Sequence, residues 1–179
     1  MRDITDWYWF EKVFNDTELE LIDKVKDKYK EENANTFGAS EDYRKSNIRW
    51  LPFDDTTEWI YRRLVDCMEE ANMITYDFDW DGITENIQYT EYDAEYEGHY
   101  DYHIDVGGDR QNRKISAVVM LNDGYEGGEL ELYGKDISYA LGKGNVIIFP
   151  SFMLHKVNPV TKGLRKSLVI WGISEKPFK

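Results

Sequence analysis

The sequence is poor in cysteine, in basic residues and in long apolar runs. It contains one cysteine in 179 residues, so the chain can form neither an internal disulfide bond nor a metal site made of several thiolates. It has 22 lysines and arginines against 35 aspartates and glutamates, which gives a formal net charge of −13. Because nucleic-acid binding normally depends on clustered lysine and arginine, DNA and RNA are not expected partners.

The shortage of apolar runs bears on membranes and on location. No stretch approaches the roughly 18 consecutive apolar residues that a membrane span needs. The first residues, MRDITDWYWF, show neither the basic start nor the apolar run of a secretory signal. The sequence therefore predicts a cytoplasmic protein with no membrane partner. The lone Cys67 is expected to be a small buried residue of a helix.

The length favours one domain over residues 1–179, large enough to bury a real core. Residues 1–72 are predicted to be mainly helical support, because segments 15–33 and 54–72 carry apolar residues at helical spacing. Between the two helices we expect a loop, with one strand near residues 47–51.

The ends of the two predicted helices carry capping signals. Thr17 and Glu20 have the spacing of a capping box for the first helix. Asp55 is the predicted cap of the second helix.

After Asn72 the apolar period changes to strict alternation, which is typical of strands with one buried face. The first such segment is MITYDFDW, and glycine-bearing or polar turns separate most of the later ones. The predicted strands are 73–80, 86–93, 100–106, 115–122, 128–134, 145–151, 153–160 and 166–174. Helices followed by about eight short strands indicate an α+β fold, in which residues 73–179 form a barrel or a double-stranded β-helix (jelly roll).

Two of the three histidines stand beside aspartates in GHYDYHIDV, residues 98–106. Strict alternation on a strand places His99, Asp101, His103 and Asp105 on one face and the apolar Tyr100, Tyr102, Ile104 and Val106 on the other.

The first face can bind a cation. His103 and Asp105 can converge on one ion, and a small barrel can bring His155 from a later strand opposite them. Together they would form a two-histidine, one-carboxylate facial set, which leaves metal positions open and suits non-haem Fe(II). His99 is expected at the rim of this site.

An arginine immediately before the last predicted strand has the parity to face the same space. Ser167, Val169 and Trp171 follow Arg165 at the same strand parity. A guanidinium binds a carboxylate in a bidentate manner. A dicarboxylate that chelates the metal would need such a partner at its far end.

Three blocks together resemble the core of the prolyl 4-hydroxylase-type 2-oxoglutarate/Fe(II) dioxygenases, which include the PKHD-type hydroxylases. The blocks are GHYDYHID, RKISAVVMLNDGYEGGELEL and GNVIIFPSFMLHKVNPVTKGLRKSLVIW, and the resemblance spans roughly residues 86–174. It implies a jelly-roll dioxygenase that uses Fe(II), 2-oxoglutarate and O2 to hydroxylate an unactivated C–H bond, releasing succinate and CO2. It further implies a prolyl residue of a peptide or protein as the target, with ascorbate as reductant.

The resemblance also implies roles for individual residues. Iron would be held by His103, Asp105 and His155. Arg165 would pair with the far carboxylate of 2-oxoglutarate, and Tyr92 and Ser167 would contact the same molecule. Tyr89 and Tyr96 are alternatives for the tyrosine.

Three further residues match positions beside the substrate of prolyl hydroxylases, namely Arg113, Trp171 and Tyr100. Arg113 could instead be a solvated arginine at the start of a strand, and Trp171 could be a tryptophan of the core. The loop VGGDRQNR, residues 106–113, has the composition of a mobile lid.

Other functions stay open on the sequence. The substrate could be a free amino acid or a small metabolite, and the chain could be a non-oxidative, cupin-like jelly roll or a Zn²⁺ hydrolase. Arg165 favours the dioxygenase over both non-oxidative readings. The net charge of −13 predicts that peptides with Lys or Arg near the target are preferred, because the field attracts cations.

Overall fold

The computed structural model describes residues 6–34, 42–176 and 178. Within these ranges the chain forms two α-helices and thirteen strands. The helices are α1 (Asp16–Val25) and α2 (Glu58–Ala71). The strands are β1 (Tyr8–Phe10), β2 (Glu32–Asn33), β3 (Arg44–Lys45), β4 (Asn47–Leu51), β5 (Ile87–Asp93), β6 (His99–His103), β7 (Arg113–Met120), β8 (Glu126–Gly127), β9 (Leu130–Leu132), β10 (Val146–Pro150), β11 (His155–Val157), β12 (Val160–Lys162) and β13 (Leu164–Ile173). No helix within these ranges is long and apolar enough to cross a membrane.

The first helix begins earlier than the sequence pattern predicts. Asn15 is its cap: the Asn15 side chain accepts the Glu18 N–H at 3.1 Å, and the Glu18 carboxylate accepts the Asn15 N–H at 2.9 Å. The capping box predicted at Thr17 and Glu20 is therefore wrong, because an equally strong cap residue precedes it.

The second helix buries the predicted apolar stripe, but its N-terminal cap differs from the predicted one. The Asp54 carboxylate accepts the N–H groups of Thr56 and Thr57, so the cap predicted at Asp55 is wrong. The buried stripe contains Ile60, Tyr61, Leu64, Cys67, Met68 and Ala71. Burial raises the pKa of the Cys67 thiol to about 11, which keeps this free cysteine protonated and apolar, as predicted.

The strand predicted over residues 73–80 is wrong. Helix α2 runs into a π-helical turn, Asn72–Tyr76, which the Asp77 N–H closes by donating to the Asn72 carbonyl at 2.8 Å. The Asn72 side chain then exchanges two hydrogen bonds of 2.9 Å with the backbone of Phe78. These local bonds replace a strand ladder, and both Tyr76 and Phe78 are buried beneath the helix.

Antiparallel pairing joins the strands into two main sheets. The major sheet has the order β1-β10-β7-β13-β5-β4-β2, and the minor sheet has the order β3-β6-β11-β9. Strands β8 and β12 form a separate short ladder. The predicted strand near residues 47–51 is confirmed as β4, and β1, which the sequence pattern did not predict, closes one edge of the major sheet.

The two faces of the major sheet pack against different layers, because side chains alternate along each strand. One face packs against the helices through residues such as Ala117, Val119, Leu168 and Ile170. The other face packs against the minor sheet, and this core contains Val118, Met120, Ile147, Phe149, Leu130, Leu132 and Val157. The space between the two sheets holds the site.

A bulge in β6 changes the alternation predicted for residues 99–106. His155 pairs with His103, whereas Val157 pairs with Tyr100, so β6 has one extra residue over this interval. Tyr100 and His103 consequently lie on the same side, with ring centroids 3.5 Å apart. The prediction that Tyr100 faces away from the histidine is therefore wrong, and β6 ends before Asp105.

Candidate metal centre and its cavity

Two histidines and one aspartate converge at the mouth of the two sheets. His103 ends β6, His155 begins β11 beside it, and Asp105 follows the end of β6. The Nε2 atoms of His103 and His155 lie 3.8 and 3.6 Å from the Asp105 carboxylate oxygens. One ligand atom from each residue lies within 4.8 Å of the other two, so the set can hold a metal ion.

Backbone carbonyls fix the tautomer of both imidazoles. Nδ1 of His103 lies 2.8 Å from the Asp101 carbonyl oxygen, and Nδ1 of His155 lies 2.9 Å from the Met153 carbonyl oxygen. A carbonyl oxygen only accepts, so each Nδ1 donates its N–H. The lone pairs of both Nε2 atoms are then free and face Asp105, which is the usual state of a ligating histidine.

Two buried serines orient the carboxylate. The Ser116 hydroxyl donates to Oδ2 of Asp105 at 2.6 Å and lies 3.0 Å from the Ser151 hydroxyl. The backbone N–H of Asp105 donates to the Ser151 carbonyl at 2.8 Å. Neither serine was predicted to belong to the metal site. A polar residue on the inward parity of the apolar strand β7 is the signal that could have identified Ser116.

The protonation states of the site suit metal binding. Burial lowers the pKa of His103 to about 3, and the neighbouring His155 contributes in the same direction. Burial raises the pKa of Asp105, but the adjacent His155 and His103 outweigh it, so the pKa of this carboxyl is lowered. A neutral imidazole and an ionised carboxylate are the forms that bind metal. Two imidazole nitrogens and one carboxylate oxygen fit Fe(II) with open positions.

Arg165 lies at the other end of the same cavity and is fully buried, with 0% of its surface exposed. Its Nη1 donates to the Ser167 hydroxyl at 3.2 Å, and its Nη2 lies 3.8 Å from the weakly accepting sulfur of Met120. Its buried Nε has no hydrogen-bond partner. The described residues supply no carboxylate that pairs with this guanidinium.

Of the three tyrosines considered for the cosubstrate, the structure places Tyr92 in the cavity, with its ring centre 5.3 Å from the Arg165 guanidinium. Tyr89 lies on the opposite face of β5 and donates to Asp23 at 2.6 Å. Tyr96 lies in a 3₁₀ turn outside the cavity. His99 contacts the backbone carbonyls of Glu97 and Asp42 and is not among the three converging residues.

The three residues predicted to contact substrate also line the cavity, but Arg113 is already engaged. Its guanidinium forms a two-pronged ion pair with Glu85, with Nε 2.6 Å from Oε1, and its Nη1 donates to the Asp105 carbonyl at 3.2 Å. It also lies 3.7 Å from the ring centre of Trp171. Glu85 was not predicted, because it stands alone in a turn and belongs to no motif.

The cavity has a volume of about 200 Å³ and lies between the metal ligands and Arg165. Its aromatic walls are Trp50, Tyr92, Tyr100 and Trp171, and its cationic residues are Arg44, Arg113 and Arg165. A wider groove shares Tyr100, Asp105 and Arg113 with the cavity and runs along the loop of residues 104–110. The arrangement can bind a metal at one end, an anion at the other, and a third molecule from the groove.

Comparison with known proteins gives a family match over the same strands. The model of the 2OG-Fe(II) oxygenase superfamily matches residues 87–172, just under half of the chain. A PKHD-type hydroxylase of Colwellia psychrerythraea is 45% identical over 67 residues, covering 35% of this chain and 30% of that protein. The PKHD-type hydroxylase PiuC of Pseudomonas aeruginosa is 35% identical over 86 residues, covering 41% of this chain and 38% of that protein. The chain thus spans about a third of the length of these relatives.

Solved structures share the fold over nearly the whole chain. A prolyl-4-hydroxylase of Pseudomonas putida superposes with a TM-score of 0.73 at 19% identity, covering 95% of this chain and 93% of that one. A prolyl hydroxylase of Trichoplax adhaerens, in complex with a hypoxia inducible factor peptide fragment, gives a TM-score of 0.78 at 18% identity, covering 96% and 84%. These matches confirm the predicted α+β jelly-roll fold and the resemblance read from the sequence.

Proposed function

We propose that this chain, whose residues 87–172 match the model of the 2OG-Fe(II) oxygenase superfamily, is a dioxygenase that hydroxylates a prolyl residue of a peptide or protein. Bound Fe(II) and 2-oxoglutarate supply the oxidising chemistry, in which O2 and the cosubstrate give succinate, CO2 and the oxygen atom added to substrate. Ascorbate serves as reductant, and the cytoplasm is the proposed location. We further propose one catalytic domain over residues 1–179, with its core in residues 73–179.

The observation that carries this proposal is the uncompensated charge of Arg165. A buried guanidinium without a carboxylate costs several kcal/mol of desolvation, so a protein retains one chiefly where an anion completes it. Arg165 lies in the cavity whose other end holds the metal ligands. A short dicarboxylate that reaches from the metal to the guanidinium fits this arrangement, and 2-oxoglutarate has that chemistry.

The proposed roles follow from the contacts. His103, Asp105 and His155 hold the iron, while Ser116 orients the aspartate. At the far end, Arg165 binds the second carboxylate of 2-oxoglutarate with help from Tyr92 and Ser167. The buried walls exclude water from the reacting centre.

The aromatic walls near the metal ligands support the proposal that the substrate is a peptide with a prolyl ring. Tyr100 and Trp171 present aromatic walls beside the metal ligands, and a neutral pyrrolidine ring packs on such surfaces. The adjoining groove along residues 104–110 offers room for flanking residues. Two solved proteins of similar fold are prolyl hydroxylases.

The direct test is turnover. The chain with Fe(II), ascorbate and 2-oxoglutarate should form succinate in step with one added oxygen atom on a proline-containing peptide, read by mass spectrometry. Oxygen added only to free amino acids or small metabolites would reject the peptide substrate and keep the dioxygenase. Metal and 2-oxoglutarate binding without succinate under any of these conditions would favour the cupin-like binding protein.

The assignment of Arg165 has its own test. Replacing Arg165→Met should weaken 2-oxoglutarate binding roughly 30-fold to 1000-fold, the range for a charge-assisted bidentate contact, and leave metal affinity unchanged. The matched control is Arg62→Met on the surface of α2, where the arginine forms an exposed ion pair with Glu58. An unaltered 2-oxoglutarate titration in the Arg165 variant would reject the cosubstrate site.

A further inference from the structure

The cationic residues of the cavity are not matched by carboxylates of the protein. Arg44, Arg113 and Arg165 line it, whereas Asp105 is the single carboxylate among the described lining residues and belongs to the metal set. Glu85 neutralises Arg113. Under the proposed function, 2-oxoglutarate neutralises Arg165. No carboxylate among the described residues pairs with Arg44.

Arg44 is held by neighbouring side chains, although the described part of the chain gives it no ionic partner. It pairs with Tyr100 across β3 and β6, and its guanidinium carbon lies 4.4 Å from the Tyr100 ring centre. The same ring stacks on His103, which places Arg44 one aromatic layer from a metal ligand. Nε of Arg44 donates to the Ser46 hydroxyl at 2.9 Å, and its buried Nη2 has no hydrogen-bond partner.

A packing role alone does not account for this arrangement. Stacking on Tyr100 uses the face of the guanidinium and leaves its edge donors free. A buried N–H donor without a partner destabilises the protein, and a hydrogen-bonding group of a ligand would offset this cost. No carboxylate among the described residues pairs with Arg44, and Arg44 lines the cavity, so a ligand bound there can supply that group.

We propose that Arg44 binds a carboxylate of the substrate, so that the preferred substrate carries a negative group close to the hydroxylated carbon. The inference rests on the proposed function and makes its substrate class more specific. It also opposes the expectation from the net charge of −13, which favours basic peptides. The overall field affects encounter rates over long distances, whereas affinity depends on the contacts within the cavity.

The test measures binding, so it does not require turnover. The chain is loaded with Mn(II) and 2-oxoglutarate, and the Mn(II)-dependent broadening of ligand proton signals gives dissociation constants. The ligands are N-acetylated, amidated Ala-Pro-Glu, Ala-Pro-Gln and Ala-Pro-Lys, with a parallel series of N-acetylated Glu, Gln and Lys amides. The Gln peptide with a free C-terminus separates a terminal from a side-chain carboxylate.

We expect the wild-type chain to bind the Glu ligands, or the free-acid peptide, roughly 10-fold or more tightly than the amidated Gln ligands. Arg44→Gln should remove this difference, and Arg44→Lys should restore part of it. Arg44→Glu should reverse the order in favour of the Lys ligands, a gain that misfolding cannot produce. Arg62→Gln, a surface substitution, should change nothing.

The results that would contradict the role of Arg44 differ from those that would contradict the proposed function. Equal binding of acidic and neutral ligands, no binding of any ligand, or an acidic preference that persists in Arg44→Gln would overturn the role of Arg44. Any of these would leave the dioxygenase intact if the wild type still binds 2-oxoglutarate in the presence of Mn(II). Failure of that control would overturn the proposed function and this inference together.

Discussion

The two ends of the cavity are built differently. At the metal end, each imidazole donates to a backbone carbonyl, and Asp105 accepts from Ser116. Nε of Arg165 at the far end is buried without a partner, and so is Nη2 of Arg44, which stacks on the Tyr100 ring beside His103. The three metal ligands are held by hydrogen bonds before a ligand arrives, whereas the two guanidinium groups keep donors that only a ligand can use.

The metal site is therefore preorganised, whereas the anion-binding groups are completed only when a ligand binds. The metal ligands are fixed by bonds that their own sheets supply, so the metal meets a formed site. The guanidinium groups keep unused donors, which costs stability in the free protein and is recovered when anions bind. Substitutions at the metal end should therefore weaken metal binding, whereas replacing an unpaired arginine by an apolar residue should stabilise the free protein.

The largest expected effect is at the metal end. His155→Ala removes one of three ligands and should lower metal affinity by more than the 10-fold to 100-fold that loss of an outer partner typically costs. Isothermal titration with Mn(II) measures it. The matched control is His99→Ala, because both ring nitrogens of that histidine lie against backbone carbonyls and it is outside the converging set, so the metal affinity of this variant should equal that of the wild type. Equal losses in the two variants would contradict the assignment of the ligands.

The next effect concerns the arginine that does have a partner. Glu85→Ala leaves the buried Arg113 unpaired and should lower the free energy of unfolding by about 3 kcal/mol, near the low end for a broken buried pair. Glu58→Ala breaks an exposed pair on α2 and should cost about 0.5 kcal/mol or less. Urea unfolding compares them. Similar costs would show that burial of the Arg113 pair contributes little.

A smaller effect is expected for the serine that orients the aspartate. Ser116→Ala removes the 2.6 Å hydrogen bond to Asp105 and should lower metal affinity about 10-fold to 100-fold without removing a ligand. Ser138→Ala, in a distant 3₁₀ turn, is the control. Unchanged Mn(II) affinity in Ser116→Ala would mean that the backbone alone holds the carboxylate.

Much of the site was predictable because alternation holds on regular strands. Arg165, Ser167 and Trp171 all face the cavity from β13, as their spacing predicts. The fold class was equally accessible, since helices followed by short alternating strands allow few arrangements. The strand predicted over residues 73–80 was wrong because the alternating pattern carries no information about the hydrogen bonds of the Asn72 side chain. These bonds replace the strand ladder.

The parts that escaped prediction depend on pairing partners. The bulge that brings Tyr100 beside His103 is defined by the register of β6 against β11, which one strand's sequence does not contain. Glu85 reaches Arg113 from the turn before β5, and Arg44 reaches the cavity through the pairing of β3 with β6, so no local spacing marks either residue. The residues predicted by parity on β13 line the cavity, whereas those that depend on tertiary contacts were not predicted.

The most direct test of the account is the stability of Arg165→Met with and without 2-oxoglutarate. In urea unfolding without ligand, the variant should be more stable than the wild type by about 1–3 kcal/mol, because an unpaired buried charge is replaced by an apolar chain. With Mn(II) present, 2-oxoglutarate at 100 times its dissociation constant should stabilise the wild type by ~2.7 kcal/mol and the variant hardly at all. A variant that is less stable without ligand, and that 2-oxoglutarate stabilises as it does the wild type, would contradict the account.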